Sequence, residues 1–298
     1  MIYRLLIIIA TIIWGSSFVV VKSTTDFLDP AWILAVRFVA AAIILAVVFA
    51  KHRKLYLTKD HIAYGLLFGV ALFCAYYLQT VGIQYTTPGK NAFLTGTYCV
   101  MVPFFAWFAT RKRPTKINVI AAVLCLVGTG LISLGNEGGI NIGDLLTLAC
   151  AVFYAVHIVL VSKFSEGRNI YVLTMWQFAG AGACALIVAL VTGAPVGPLT
   201  QLTGEQTGAL AYLAVACTAV ALLFQNIGQS HLPPASASLL LSLESPFGVI
   251  FSVALGAEQL ELKVLAGFVL VFVAIIVSEV LPEKLAQKRD PHCSSPAQ

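Results

Sequence analysis

The chain has 298 residues, 59% of them hydrophobic and only 10% charged, with 18 Lys and Arg against 13 Asp and Glu for a net charge of +5. Soluble domains carry roughly 25% charge and about 45–50% apolar residues, and a chain this short has too little interior to bury so much apolar helix. These figures exclude a soluble globular protein and make the bilayer the expected solvent.

The apolar excess lies in blocks free of Asp, Glu, Lys and Arg. In the first half they run Leu5 to Val21, Phe38 to Ala50, Ile62 to Gly89, Asn91 to Thr110 and Ile117 to Asn136. In the second half they run Leu145 to Ser162, Asn169 to Gly204, Gln206 to Leu243 and Val264 to Ser278. Several exceed the roughly 20 residues that a helix needs to cross the hydrocarbon core. Polar and Pro/Gly punctuation, such as Thr86-Thr87-Pro88-Gly89 and His231-Leu232-Pro233-Pro234, cuts them into about ten predicted spans. These are 3–22, 31–50, 61–84, 89–110, 116–134, 143–163, 169–192, 207–229, 234–256 and 262–281. The first apolar run has the opening of a signal peptide. It continues to Val21 without a small-x-small cleavage site, so it is predicted as a span. The polar stretch 283–298 is predicted as a disordered cytoplasmic tail.

Lys and Arg near the span ends set the predicted orientation. With the N-terminus in the cytoplasm, one side carries Arg4, Lys51, Arg53, Lys54, Lys59, Arg111, Lys112, Arg113, Lys116, Lys163, Arg168, Lys284, Lys288 and Arg289. The other side receives Lys22, Lys90 and Lys263, and Arg37 falls inside a span. Both termini are therefore expected in the cytoplasm and the span count is expected to be even. The positive net charge reads as a topology signal, and no nucleic-acid partner is expected.

The two halves are related. Arg4-Leu5-Leu6-Ile7 through Trp14 to Lys22 aligns with Asp144-Leu145-Leu146-Thr147 through Tyr154 to Lys163. Arg37-Phe38 meets Gln177-Phe178, Leu78-Gln79 with Gly82 meets Phe224-Gln225 with Gly228, and Pro88 meets Pro234. The same shift sets Tyr98 opposite Glu244 and Val100 opposite Pro246. Five spans per half is odd, so the halves must be inverted in the membrane, an arrangement typical of secondary transporters. The predicted fold is an all-α polytopic membrane protein of ten transmembrane helices in two inverted five-helix repeats, 1–136 and 137–282.

Trp14-Gly15-Ser16-Ser17-Phe18-Val19-Val20-Val21-Lys22 resembles the first-helix signature of the drug/metabolite transporter superfamily, specifically its EamA family. Arg37-Phe38 is similar to that family's Arg-Phe pair, and Ser238 to Pro246 followed by Leu255-Gly256-Ala257-Glu258 to its ninth-helix pattern. The resemblance covers about residues 3 to 282. In two places the halves differ: the fourth span ends on Arg111-Lys112-Arg113, and its proline, Pro103, does not lie opposite Pro246. The resemblance implies export, and sometimes import, of amino acids, amines, nucleotide-sugar-like metabolites or drugs.

Polar groups at mid-membrane depth are costly and point to function. At about 1.5 Å per residue, Trp14, Tyr98, Tyr154 and Glu244 fall near the midplane. Glu244 is the one carboxylate predicted at that depth. It could couple transport to protons or anchor a substrate amine. It could equally be a structural partner of Arg37 or a neutral acid bonded between helices. His157 stands i+3 from Tyr154, as a proton relay with Glu244, a substrate hydrogen bond or a neutral packed imidazole. Asn91, Thr95 and Tyr98 form a stripe on the fourth span, Trp14 and Ser17 on the first, Tyr77, Thr80 and Gln84 on the third, and Gln225, Asn226 and Gln229 on the eighth. The predicted central cavity is thus lined by Trp14, Ser17, Tyr77, Asn91, Thr95, Tyr98, Tyr154, His157, Gln225 and Glu244. Arg37 reads first as structural, snorkelling outward or pairing with Asp26 or Asp29, with attraction of anions as the alternative.

The chain carries no GxxxxGK[ST] loop, no HExxH and no Cys/His set; its seven cysteines stand singly and read as small buried hydrophobes. No ATP-driven pump, no cofactor, no metal and no enzymatic activity are expected. The sequence points to a secondary active transporter working by alternating access, an exporter of small metabolites such as amino acids or amines, driven by protons or by the substrate's own gradient. The alternatives are a membrane-embedded enzyme acting on lipids or isoprenoids, which would need clustered acids, and a channel, which would need a selectivity element. The expected setting is the bacterial inner membrane, as a monomer or homodimer, with the bilayer and a small-molecule substrate as partners.

Overall fold

The computed structural model describes residues 1–111, 113–133, 141–232, 234–257, 259, 262, 265–274 and 276–277. The predicted tail 283–298, Glu258 and the basic residues Lys112, Lys263, Lys284, Lys288 and Arg289 lie outside them. The described residues form helices and no strand. In a bilayer the backbone has no water to bond, so a helix must satisfy its own groups and its ends must be capped.

In chain order the helices are α1 (Ile2–Thr24), α2 (Pro30–Val48), α3 (Lys59–Gln84), α4 (Pro88–Gly96), α5 (Tyr98–Thr110), α6 (Lys116–Ser133), α7 (Ile142–Phe164) and α8 (Ile170–Val191). They continue with a short α9 (Gly197–Thr200), α10 (Gly204–Tyr212), a wide π-helical stretch (Leu213–Val220), α11 (Ala221–His231), α12 (Pro234–Leu241) and α13 (Glu244–Ala254). Caps follow the local sequence. Asp29 accepts from Ala31 N with Pro30 at the first helical position, and Asn169 accepts from Tyr171 N and Val172 N.

Among the described residues, seven helices are long and apolar enough to cross a membrane: Ile2–Thr24, Pro30–Val48, Lys59–Gln84, Pro88–Phe108, Ile142–Phe164, Ile170–Val191 and Gly204–His231. Three shorter apolar helices, Lys116–Gly128, Glu244–Ala254 and Leu265–Ala274, fall where the sequence predicts the remaining spans. The protein is a multi-pass membrane protein.

Helix packing is interleaved between the halves. The helix α3 packs on α7 and α8, and α2 on α8 and the π stretch. The helix α1 packs on α11 and α13, while α4 packs on both α13 and α7. Small residues allow the closest crossings: a Cβ added at Gly69 of α3 would stand 2.5 Å from the Gln177 carbonyl oxygen of α8.

Two helix pairs, α4–α5 and α12–α13, are each interrupted by a short turn. Between α4 and α5 the turn tightens, with Thr97 N bonded to Leu94 O and Val100 N to Thr97 O. Between α12 and α13, Leu243 N bonds Leu240 O and Ser245 N bonds Ser242 O. Each break carries a local feature that weakens the regular ladder. Thr97 Oγ1 donates to Leu94 O at 2.6 Å, competing for the helical acceptor. Pro246 has no N–H to bond the preceding turn.

Candidate functional site

The two breaks face each other. Ser245 Oγ donates to Ala92 O at 3.1 Å, and Cys99 Sγ donates to Ser238 O at 2.9 Å. These two bonds repeat at one spacing, since Ser238 lies as far beyond Ala92 as Ser245 lies beyond Cys99. It is also the spacing between Tyr98 and Glu244, and both of these side chains turn to the same central space.

They enclose a narrow central cavity of about 30 Å³, room for about two water molecules. From α1 come Trp14, Ser17, Phe18 and Val21; from α2, Arg37; from α3, Tyr76, Gln79 and Ile83. From α4 and α5 come Asn91 and Tyr98, from α7 Tyr154 and Ile158, and from α11, α12 and α13 Gln225, Leu241 and Glu244.

The wall is held by hydrogen bonds between helices. Trp14 Nε1 donates to Cys217 O at 2.8 Å, and Arg37 Nε to Thr218 Oγ1 at 3.1 Å. Both acceptors lie on the π stretch, where Thr218 Oγ1 donates in turn to Leu213 O at 2.7 Å. Such wide turns disturb the regular ladder and recur at functional sites. Tyr154 Oη donates to Gln79 Oε1 and Gln79 Nε2 to Thr95 Oγ1, each at 3.0 Å. Asn91 Nδ2 donates to Thr147 Oγ1 at 2.8 Å. The aromatic rings are in contact, Tyr76 with Tyr154 at 5.5 Å and Tyr98 with Tyr154 at 5.9 Å.

The two charged side chains on the wall are Arg37 and Glu244. Arg37 is 1% exposed and lies over the Tyr76 ring at 5.1 Å. No ion pair joins it to Glu244, to Asp26 or to Asp29; among the described residues the one ion pair is Arg168–Asp60, 3.3 Å, outside the cavity. Glu244 is 6% exposed and its Oε1 has no hydrogen-bond partner. Asn91 Oδ1 is likewise unpartnered. The cavity therefore holds a cation and, not paired with it, a carboxyl that has an unpartnered oxygen.

Of the residues that the sequence points to, Trp14, Ser17, Asn91, Tyr98, Tyr154, Gln225 and Glu244 line this cavity. The other three lie off its wall. Thr95 stands behind Gln79 and holds its amide. Tyr77 is rotated about 100° around the helix axis from Tyr76; it is half-buried and stacks on Phe73 at 5.4 Å. His157 is fully buried against the edge of Phe68, 6.4 Å between rings, while Tyr154 and Ile158 of the same helix take the cavity face. Conversely, Arg37, Tyr76 and Gln79 are on the wall. For Gln79 a signal existed, because it is the repeat counterpart of Gln225.

The sequence relatives agree with this architecture. The model of the EamA-like transporter family matches residues 1–134 and again 141–279. An uncharacterized transporter of Archaeoglobus fulgidus is 34% identical over 273 residues, 90% of this chain and 83% of that one. The uncharacterized transporter YyaM of Bacillus subtilis is 26% identical over 278 residues, 90% of each chain. The uncharacterized inner membrane transporter YedA of Escherichia coli K12 is 26% identical over 279 residues, 90% of this chain and 87% of that one. A crystal structure at 17% identity shares the fold, with a TM-score of 0.72 over 95% of this chain and 98% of that one. A membrane-spanning helical body with a polar centre and a family match over nearly its whole length identify the chain as a membrane transporter for small molecules, one that belongs to the EamA-like transporter family.

Proposed function

We propose that this transporter carries a small zwitterionic metabolite of the amino-acid type by alternating access between two inverted five-helix halves, 1–136 and 137–282, and that it acts as an exporter. The observation that carries the substrate reading is the pair Arg37 and Glu244. They line one cavity without neutralising each other. A substrate carboxylate on the guanidinium and an ammonium on the carboxyl would satisfy both. The rings of Trp14, Tyr76, Tyr98 and Tyr154 supply apolar and cation-attracting faces beside them. Ser17, Asn91 and Gln225 offer hydrogen bonds, and Gln79, held by Thr95 and Tyr154, fixes the wall.

The reading of two inverted halves in ten spans is supported by the packing. Exchange of the halves turns α3 on α7 into α11 on α1, and α1 on α13 into α7 on α4 and α5, pairs that all occur. It also exchanges the Ser245–Ala92 and Cys99–Ser238 bonds. Two such gates around one site give alternating access. The cavity of about 30 Å³ is far below the roughly 300 Å³ of a ligand pocket, so the gates must part for substrate to enter. The grouping of Arg4, Lys51, Arg53, Lys54, Lys59, Arg111, Arg113, Lys116, Lys163 and Arg168 toward one side supports the reading with both termini in the cytoplasm.

Glu244 is the coupling group in this reading, because a buried carboxyl with an open oxygen can exchange a proton for a substrate ammonium. His157, off the wall, has no part in it. In proteoliposomes with an imposed pH gradient, labelled amino acids found by a thermal-shift screen of purified protein should accumulate against their own gradient. Glu244→Gln should abolish the dependence on the pH gradient. Unchanged flux with unchanged pH dependence in that variant removes the coupling role. A screen in which no amino acid, but an uncharged compound, shifts the melting temperature removes the zwitterion reading.

A further inference from the structure

Two hollows outside the central cavity run along α5. One, about 250 Å³, is lined by Met101 and Phe105 of α5 with neighbours on α6 and α7. The other, about 270 Å³, lies between α5 and α7 and is lined by Phe105, Phe108, Val159 and Lys163. Phe105 borders both, so the two hollows adjoin at its side chain and follow one groove along α5. The groove follows α5 from Thr97, at the break between α4 and α5, to Phe108 near the helix end. At the helical rise that is about 16 Å, the thickness of one hydrocarbon leaflet.

Its walls are apolar throughout that length, and its mouth is basic. Lys163 is exposed, and its Nζ stands 5.3 Å from the ring of Phe164 with no acidic partner among the described residues. Arg111, the cap of α5 one turn beyond Phe108, is exposed at the same end, and Arg113 follows it. No acidic residue is present between Leu94 and Lys116; the one acid of α7 is Asp144, at the opposite end of the helix from Lys163, and Glu166 follows just beyond α7.

We infer that this groove is a binding site for an anionic phospholipid, with one acyl chain laid along α5 from Phe108 to Met101 and the phosphate on Lys163. An apolar trough of one leaflet's depth suits an acyl chain, and a cation without an acid partner at its mouth selects a negative headgroup over a zwitterionic one. The site is separate from the central cavity, with which it shares no residue named here, and it stands whether or not the cavity takes an amino acid.

The test is native mass spectrometry of the detergent-purified full chain titrated with phosphatidylglycerol and phosphatidylcholine. Wild type should retain phosphatidylglycerol about fivefold better, the weight of one basic side chain at an anionic headgroup. Lys163→Gln should remove that preference while leaving chain-driven binding. Val159→Trp, which fills the groove, should lower retention of both lipids with the melting temperature held within a few degrees. Equal retention of the two lipids by wild type, or a preference that survives Lys163→Gln, overturns the proposal. So does disulfide crosslinking between copies through Phe108→Cys in lipid nanodiscs, which would mean that a second copy covers the groove.

Discussion

Replacing Gly96 with alanine tests how closely the two helix breaks are fitted together. A Cβ at Gly96 would stand 2.0 Å from Ser245 Oγ and 3.3 Å from Ser245 Cβ. The first distance is impossible without movement; the second asks the neighbour to yield by a few tenths of an ångström. Ser245 cannot simply turn away, because its hydroxyl is fully buried and bonded to Ala92 O at 3.1 Å. Overpacking of this kind costs about 1–3 kcal/mol, and loss of the interhelical bond about 0.6 kcal/mol within a membrane protein. Gly96→Ala should therefore lower the melting temperature by several degrees, at about 2–4 °C per kcal/mol for a chain of this size. Ser245→Ala alone should cost a degree or two. The double variant should recover most of the loss from Gly96→Ala, because deleting Oγ leaves only the 3.3 Å contact. Tryptophan fluorescence melts of the four proteins in one detergent form the double-mutant cycle. A neutral Gly96→Ala, or a double variant no better than the sum of the singles, refutes the facing of the two breaks.

Arg37→Gln should weaken substrate binding at least tenfold, since a guanidinium bonded to carboxylate contributes more than about 1.4 kcal/mol; isothermal titration with the ligand found by screening measures it. Thr218→Val removes the acceptor of Arg37 Nε and should weaken binding by a smaller factor while protein abundance stays unchanged. Tyr76→Phe and Tyr77→Phe provide a paired control, because the former faces the cavity and the latter does not. Tyr76→Phe should alter apparent affinity and Tyr77→Phe should leave it alone. Tyr154→Phe strands the Gln79 amide oxygen and should reduce both stability, by about 1 kcal/mol, and transport rate.

Much of the site could be read from the chain. Trp14, Tyr98, Tyr154 and Glu244 were placed by depth, and depth follows from helical rise alone. Pro246 stands at one break, although in the sequence it reads only as a repeat and family marker. The other, at Thr97, has no proline; a hydroxyl-to-carbonyl bond accompanies it, as in the unbroken α1, so no sequence pattern marks it. Tyr76 and Tyr77 are the clearest instance of what was not legible. In water, one helix face is polar and declares which way is out. The helix α3 is apolar all round, since lipid outside and packed helices inside both accept apolar groups, so adjacent tyrosines cannot be told apart by periodicity.

What the sequence alone determined is the helical class, the membrane setting and the duplication, because hydrophobic length, charge placement and repeated spacing are properties of the chain. What only tertiary structure decided is which face of each helix turns inward. Arg37 shows why. Asp26 and Asp29 are its neighbours in sequence, yet α2 packs on the π stretch and α8, which turns the guanidinium toward Thr218 and Tyr76 and into the cavity with Glu244. A charge inside the bilayer goes where polar partners converge, and that convergence is set by helices distant in sequence.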